Sequence, residues 1–270
     1  MPGRIAPPAS GRYAVRGMIG PESGISGAAR ARTGTRSPAP ESRSEEGSRR
    51  VSVPAAKAVL WDMDGTLLDS EKLWDIAVRE LSVELGGEMT DATRHALIGS
   101  AASNALRIIF AGLGLEPDPV RVAEAGEWLH RRVTELMAGP IPWRPGAQEA
   151  LRMVRAAGLR TALVTNTQRA VAEVCLNTLG REYFDVSVCG DEVVHGKPAP
   201  DPYRRAAELL DIAPEHCVAV EDSPTGSASA VAAGCAVLVI PCEIPVPPAP
   251  GYTFRDSLIG LTVADLDTLV

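Results

Sequence analysis

Five short runs of apolar, mostly β-branched residues recur along the chain: 57–61 (KAVLW), 160–164 (RTALV), 186–189 (VSVC), 218–220 (VAV) and 236–240 (AVLVI). Each is close to continuously apolar rather than alternating, the pattern of parallel strands covered on both faces. Helical stretches separate them, so the chain reads as α/β with a Rossmann-like parallel-sheet core. The interval between the first two runs is different. It carries no strand-like run but three apolar groups at helical spacing: Ile76, Leu81 and Leu85; Leu106, Ile109 and Phe110; Trp128, Leu129, Val133 and Leu136. Gly86-Gly87, Gly112 to Gly114 with Pro117 and Pro119, and Gly139-Pro140 punctuate them. The pattern predicts a core built from residues 53–72 plus 144–270, interrupted by an inserted all-helical cap over residues 73–143.

Composition separates the first fifty residues from the rest. They hold nine Arg, no Lys and four Glu in a background of Gly, Ser, Pro and Ala, for a net charge of +5, which leaves −12 of the chain's −7 for residues 51–270. Few large apolar residues occur there, so the segment cannot bury enough surface to offset its ordering entropy, and residues 1–52 are expected to be a disordered extension. Glu22, Glu41, Glu45 and Glu46 depart from the acid-poor composition of transit peptides, and no apolar core of a secretion signal is seen. The acidic remainder argues against nucleic acid as a partner. The longest apolar stretch, 228–240, is broken by Ser229 and Gly234 and is too short for a membrane span. Five widely spaced cysteines, an odd number with no C-x-x-C, read as reduced thiols. A cytoplasmic protein, monomeric or a weak homodimer, is expected.

Chemistry concentrates where the apolar runs end. Asp62 and Asp64 follow the first run in Asp62-Met63-Asp64-Gly65-Thr66. Two apart, they project to one side at the carboxyl end of a strand, where ligands of open α/β sheets bind. Like charges so crowded raise one another's pKa unless a cation compensates, which points to a divalent metal. A calcium loop fits less well, because its glycine stands at the sixth position and its bidentate Glu at the twelfth. Thr165-Asn166 ends the second run, where a helix cap is an equally good explanation. Lys197 lies in His195-Gly196-Lys197-Pro198-Ala199-Pro200-Asp201-Pro202; the prolines disfavour helix before Asp201, read as an N-cap with Pro202 at the first helical position. Glu221-Asp222 ends the fourth run, ahead of a capping Ser223-Pro224. Parallel strands present their carboxyl ends on one rim, so these four loops converge.

The string Asp62-Met63-Asp64-Gly65-Thr66-Leu67-Leu68-Asp69-Ser70 resembles the first motif of the haloacid dehalogenase-like superfamily in its phosphatase branch, and the other three loops follow in that family's order. The likeness is to β-phosphoglucomutase-like proteins and to hexose- and hexitol-phosphate phosphatases, whose S-E-x-L-W-D is similar to Ser70-Glu71-Lys72-Leu73-Trp74-Asp75. It implies a phosphatase that hydrolyses a small phosphorylated metabolite, a sugar phosphate, with Mg2+ through an aspartyl-phosphate. Asp62 is then nucleophile, Asp64 acid/base, and Lys197 the stabilising cation. Thr165, Asn166 and Lys197 bind phosphate, while Asp62, Asp64 (through its backbone carbonyl) and Asp222 hold the metal, with Glu221 in support.

The second aspartate sets aside the superfamily's metal-free dehalogenases, which lack it. A phosphomutase of the β-phosphoglucomutase type is the first alternative. Such relatives carry a histidine and an arginine in the cap where this chain aligns Trp74 and Ala102, which favours hydrolysis. A non-catalytic phosphate or metal binder is the second, and Asp64 weighs against it, since binding alone needs no proton shuttle. Trp74 reads as core packing or a wall over the leaving group, Glu71 and Lys72 as a hinge or a solvated face, and His195 as a loop residue.

Overall fold

The computed structural model describes residues 56–97 and 102–270; the extension expected over residues 1–52 lies outside them. Six parallel strands form one sheet: β1 (Ala58–Trp61), β2 (Arg160–Val164), β3 (Val186–Val188), β4 (Cys217–Glu221), β5 (Ala236–Val239) and β6 (Tyr252–Phe254), in the order β3-β2-β1-β4-β5-β6. β1 lies between β2 and β4, with Trp61 opposite Leu163 and Val220, so the loops after these three strands leave the sheet side by side. Strand residues alternate between two cores, as the two-residue period requires. Val59, Trp61, Leu163, Val218 and Val220 face one, and Ala58, Leu60, Ala162, Val164 and Ala219 the other.

The first face is covered by α5 (Ala147–Ala156) and α6 (Arg169–Leu179) through Leu151, Val154, Val171 and Leu176. The second is covered by α7 (Asp201–Leu210) and α8 (Pro224–Ala233), whose Ala206, Ala207, Ala230 and Ala233 let the helices approach closely. Among the described residues four further helices stand between β1 and α5: α1 (Glu71–Glu84), α2 (Asp91–Leu97), α3 (Ala102–Gly112) and α4 (Pro119–Met137). α1 packs on α4, α2 on α3, and α4 also on α6. A short α9 (Val263–Asp267) closes the chain with a Thr262/Asp265 capping box.

Three expectations are corrected. Ile76 is exposed; the buried stripe of α1 is Ala77, Val78 and Leu81, since positions 76 and 81 lie about 140° apart on a helix of 3.6 residues per turn. Asp201 is the first residue of α7 rather than its cap, and no side chain caps that helix. The edge strand β6 went unread because only Tyr252 is partly buried, Thr253 and Phe254 are exposed, and the three residues make no apolar run. Among the described residues no helix is long and apolar enough to cross a membrane, and all five cysteines are free thiols.

Candidate active site

The polypeptide turns hard as it leaves β1. Asp62 N–H still donates to Val220 O (3.0 Å), prolonging the ladder, and the chain then folds back so that Leu67 and Leu68 N–H both bond to Met63 O. Gly65 makes this possible at φ +84°, and a Cβ there would stand 2.2 Å from Asp222 Oδ2. The turn after β1 is thereby pressed against the acidic loop after β4.

Four charged side chains meet beneath that turn, all essentially buried: Asp62, Lys197, Glu221 and Asp222. Lys197 Nζ donates to Asp62 Oδ1 and Glu221 Oε1, both at 2.6 Å, and to Val164 O at 2.8 Å, using all three of its donors. Burial pulls its pKa down, but the charges of Asp62 and Glu221 reverse that and hold the ammonium above its ordinary value. Burial pushes the Asp62 carboxyl up to about 7 against the pull of Lys197, with Glu221 and Asp64 adding to the rise. Asp222 is pushed well above its ordinary value by burial and by the charges of Asp62, Glu221 and Glu71.

These shifts express a charge imbalance. Three carboxylates face one ammonium, and a buried surplus of negative charge is costly without a cation. Oxygens of Asp62, Glu221 and Asp222 lie within 4.8 Å of one another, and Asp62 Oδ2 is buried with no hydrogen-bond partner among the described residues. A hard divalent cation satisfies both conditions, and an all-oxygen donor set suits magnesium. Glu221 is the least available donor, because its Oε1 also accepts from Tyr203 Oη (2.5 Å) and its Oε2 from Ser223 Oγ (3.3 Å). Gly226 leaves the space for this carboxylate, since a Cβ there would lie 2.0 Å from Glu221 Oε1.

The Asp64 side chain turns away from the acidic cluster. Its Oδ1 accepts from Ser70 Oγ (2.6 Å) and Trp74 Nε1 (3.1 Å), and its Oδ2 from Thr167 Oγ1 (2.7 Å) and Thr165 Oγ1 (3.4 Å). Thr165 Oγ1 also accepts from Thr167 N–H (3.0 Å), closing a local turn; the cap reading of the β2 end is corrected, because α6 begins only at Arg169 and no side chain caps it. Asn166 grips the main chain of Lys197 in both directions, its Oδ1 accepting from Lys197 N–H (2.8 Å) and its Nδ2 donating to Lys197 O (3.2 Å).

One cavity of about 720 Å3 is lined by all six residues singled out from the sequence, Asp62, Asp64, Thr165, Asn166, Lys197 and Asp222. Its wall also carries Glu71, Trp74 and Arg94. Glu71 is buried rather than solvated. It pairs with Arg94 Nη2 at 3.0 Å; burial and the Asp64 charge lift its carboxyl to about 7, with Arg94 opposing. Arg94 also holds Asp75 at 2.8 Å. Sequence reasoning missed this pair, as well as Thr167 and Tyr203. Nothing in the sequence around Arg94 marks it, since its burial and its pairing with Glu71 arise only from the packing of α2 on α1. His195 is a loop residue, exposed and 3.2 Å from Asp201.

The profile of the haloacid dehalogenase-like hydrolases matches residues 56–234. The chain is 35% identical over 217 residues to hexitol phosphatase A of Escherichia coli, spanning 79% of this chain and 93% of that one. It is 34% identical over 193 residues to protein CbbY of Cereibacter sphaeroides, spanning 68% and 84%. Among solved structures it is similar to CbbY from Rhodobacter sphaeroides in complex with xylulose-(1,5)bisphosphate, with TM-score 0.69 and 30% identity over 76% of this chain and 96% of that one. A parallel sheet that gathers four loops around a buried carboxylate cluster, matched in sequence over most of its length, places this chain among the haloacid dehalogenase-like hydrolases.

Proposed function

We propose that the protein is a magnesium-dependent phosphatase that hydrolyses a small sugar phosphate through an aspartyl-phosphate on Asp62. The observation that carries this reading is the Lys197 ammonium held between Asp62 and Glu221, beside Asp222 and an unpartnered oxygen of Asp62. Hexitol phosphatase A and CbbY, in its sugar bisphosphate complex, support the substrate class. Asp62 and Asp222, with the backbone of Asp64, would hold the metal, which when bound supplies positive charge against the phosphoryl oxygens.

An Asp62 carboxylate oxygen attacks phosphorus, and the bond from phosphorus to the ester oxygen breaks as Asp64 gives that oxygen a proton. Asp64, now ionised, takes a proton from water, whose oxygen attacks phosphorus. The Asp62–phosphate bond then breaks, releasing inorganic phosphate and restoring the free carboxylate. Lys197 offsets charge on the nucleophile and the transferring group throughout, and Thr165 and the backbone N–H of Asn166 bind phosphoryl oxygens. Residues 73–143, which hold α2 to α4 and all of α1 but its first two residues, act as a cap over a core of residues 53–72 and 144–270, excluding bulk water from the reactive intermediate. Free thiols support a reducing, cytoplasmic setting.

The test is phosphate release from p-nitrophenyl phosphate and a panel of sugar phosphates with Mg2+, with product analysis for sugar phosphate isomers. Turnover should fall at least a thousandfold in Asp62→Asn. Retention of the rate in that variant, or isomerisation without phosphate release, would overturn the proposal.

A further inference from the structure

The cavity over the acidic cluster is divided by element. Loops after β1, β2 and β4 contribute the carboxylates of Asp62, Asp64 and Asp222 and three hydroxyls, while the helices contribute the apolar Val78, Leu97, Ala105, Leu106, Leu129 and Val171 together with polar side chains at either end. Next to Asp64 the wall is polar, with the buried Glu71–Arg94 pair. Polar side chains return at the half-buried His130 and at Glu127 and Arg131, which are exposed. An apolar zone therefore lies on the same wall as both polar ends. A polyol set against it would leave hydroxyls without the partners they have in water, whereas alkyl or aryl surface gains by the transfer.

Gly126 borders the apolar zone. It stands in the interior of the 19-residue α4, where glycine weakens a helix relative to alanine. It also lines the cavity, and a Cβ on it would meet Leu106 Cδ1 at 3.2 Å. Leu106 lies against the position a Cβ would take, so the glycine lets α3 and α4 close on each other at the apolar wall, at the expense of helix stability.

We infer that the alcohol released is amphiphilic: the preferred substrate is a phosphomonoester with polar atoms near the ester oxygen and an alkyl or aryl arm beyond them, rather than an unsubstituted polyol phosphate. This rests on the phosphatase reading above and narrows its substrate class. The arm lies against Leu97, Leu106 and Leu129, and its size is limited by Gly126.

Linear alkyl phosphates test this, because leaving-group acidity is nearly constant from ethyl to octyl. With the full chain and Mg2+, kcat/KM should climb by up to about fourfold per CH2. Hexyl phosphate should exceed both ethyl phosphate and sorbitol 6-phosphate by at least tenfold. Gly126→Leu and Leu129→Asn should each cut the hexyl-to-ethyl ratio at least fivefold, with thermal melts confirming that the variants are folded. The wild-type series decides the matter even if one variant does not fold. A flat or falling series in an enzyme that hydrolyses sorbitol 6-phosphate overturns the inference and leaves the phosphatase reading intact. Absence of phosphate release from every ester, p-nitrophenyl phosphate included, overturns both.

Discussion

Metal-free protein should lose stability as pH rises from 5 to 8, and Asp62→Asn should remove much of that loss. Asp62 is buried, with one oxygen on Lys197 and the other without a partner. Its carboxyl is raised from 3.8 to about 7, chiefly by burial. The folded state thus keeps a proton that the unfolded chain releases near pH 4. A group of this kind contributes its full stability below its unfolded pKa, and that contribution is lost as pH climbs through the folded value. A shift of roughly three units corresponds to about 4 kcal/mol at 1.36 kcal/mol per unit, of which the two units between pH 5 and 7, roughly 3 kcal/mol, fall in the tested range, a large part of a typical domain stability of 5–15 kcal/mol. Glu71, raised from 4.5 to about 7, acts in the same direction and window. Glu80, Glu173, Asp185, Glu192 and Asp265 are all lowered, so their stabilisation is lost only as pH falls below about 5. Urea unfolding in EDTA at pH 5, 6, 7 and 8 measures the effect. Asparagine keeps the shape of Asp62 without the charge, so the variant should show a flatter profile and exceed wild type at pH 8. Mg2+ should restore wild type at pH 8 in proportion to its occupancy and help the variant less. A wild-type stability that rises between pH 5 and 8, or an Asn variant less stable than wild type at pH 8, would refute the charge-surplus account.

Lys197→Met should destabilise the metal-free protein by about 3–5 kcal/mol at pH 8, because it strands Asp62 and Glu221 in the interior; the same urea titrations at pH 5 should show a smaller loss, since Asp62 then carries a proton. Gly65→Ala should weaken Mg2+ binding at least tenfold by titration calorimetry, because the residue sits at φ +84° and its new methyl would lie 2.2 Å from Asp222 Oδ2; unchanged affinity would remove Asp222 from the metal site.

The sheet was legible because its strands are covered on both faces and so are written as unbroken apolar runs. β2 is read to the residue, and β1, β3 and β5 to within one. β4 extends one residue past its apolar run at either end, because strand pairing admits Glu221 once Lys197 and Tyr203 satisfy its carboxylate. β6 is held by backbone pairing with β5 and leaves no hydrophobic signature. In the site, residues next to strand ends could be placed together because parallel strands share a rim. The Glu71–Arg94 pair could not, since it joins α1 to α2 across 23 residues whose relative packing no spacing rule encodes. Tyr203 is of the same kind: it reads as a core aromatic of an amphipathic helix, and only the register of α7 on the sheet puts its hydroxyl on Glu221.

Asp64 shows why local reading stops short of mechanism. Its motif marks it as a partner of Asp62, yet its conformation is decided by four donors from two parts of the chain. Thr165 and Thr167 stand after β2, on the sheet. Ser70 stands just before α1, and Trp74 lies within it. Both oxygens are thereby committed, Oδ1 to α1 and the turn that leads into it, Oδ2 to the loop after β2. A displacement of α1 strips the first pair of donors while leaving the second, so the reach of this carboxylate toward an ester oxygen is tied to where α1 sits. The residue proposed to move the proton stands where α1 meets the loop after β2, and a Trp that reads as ordinary helix packing is one of the groups that aims it.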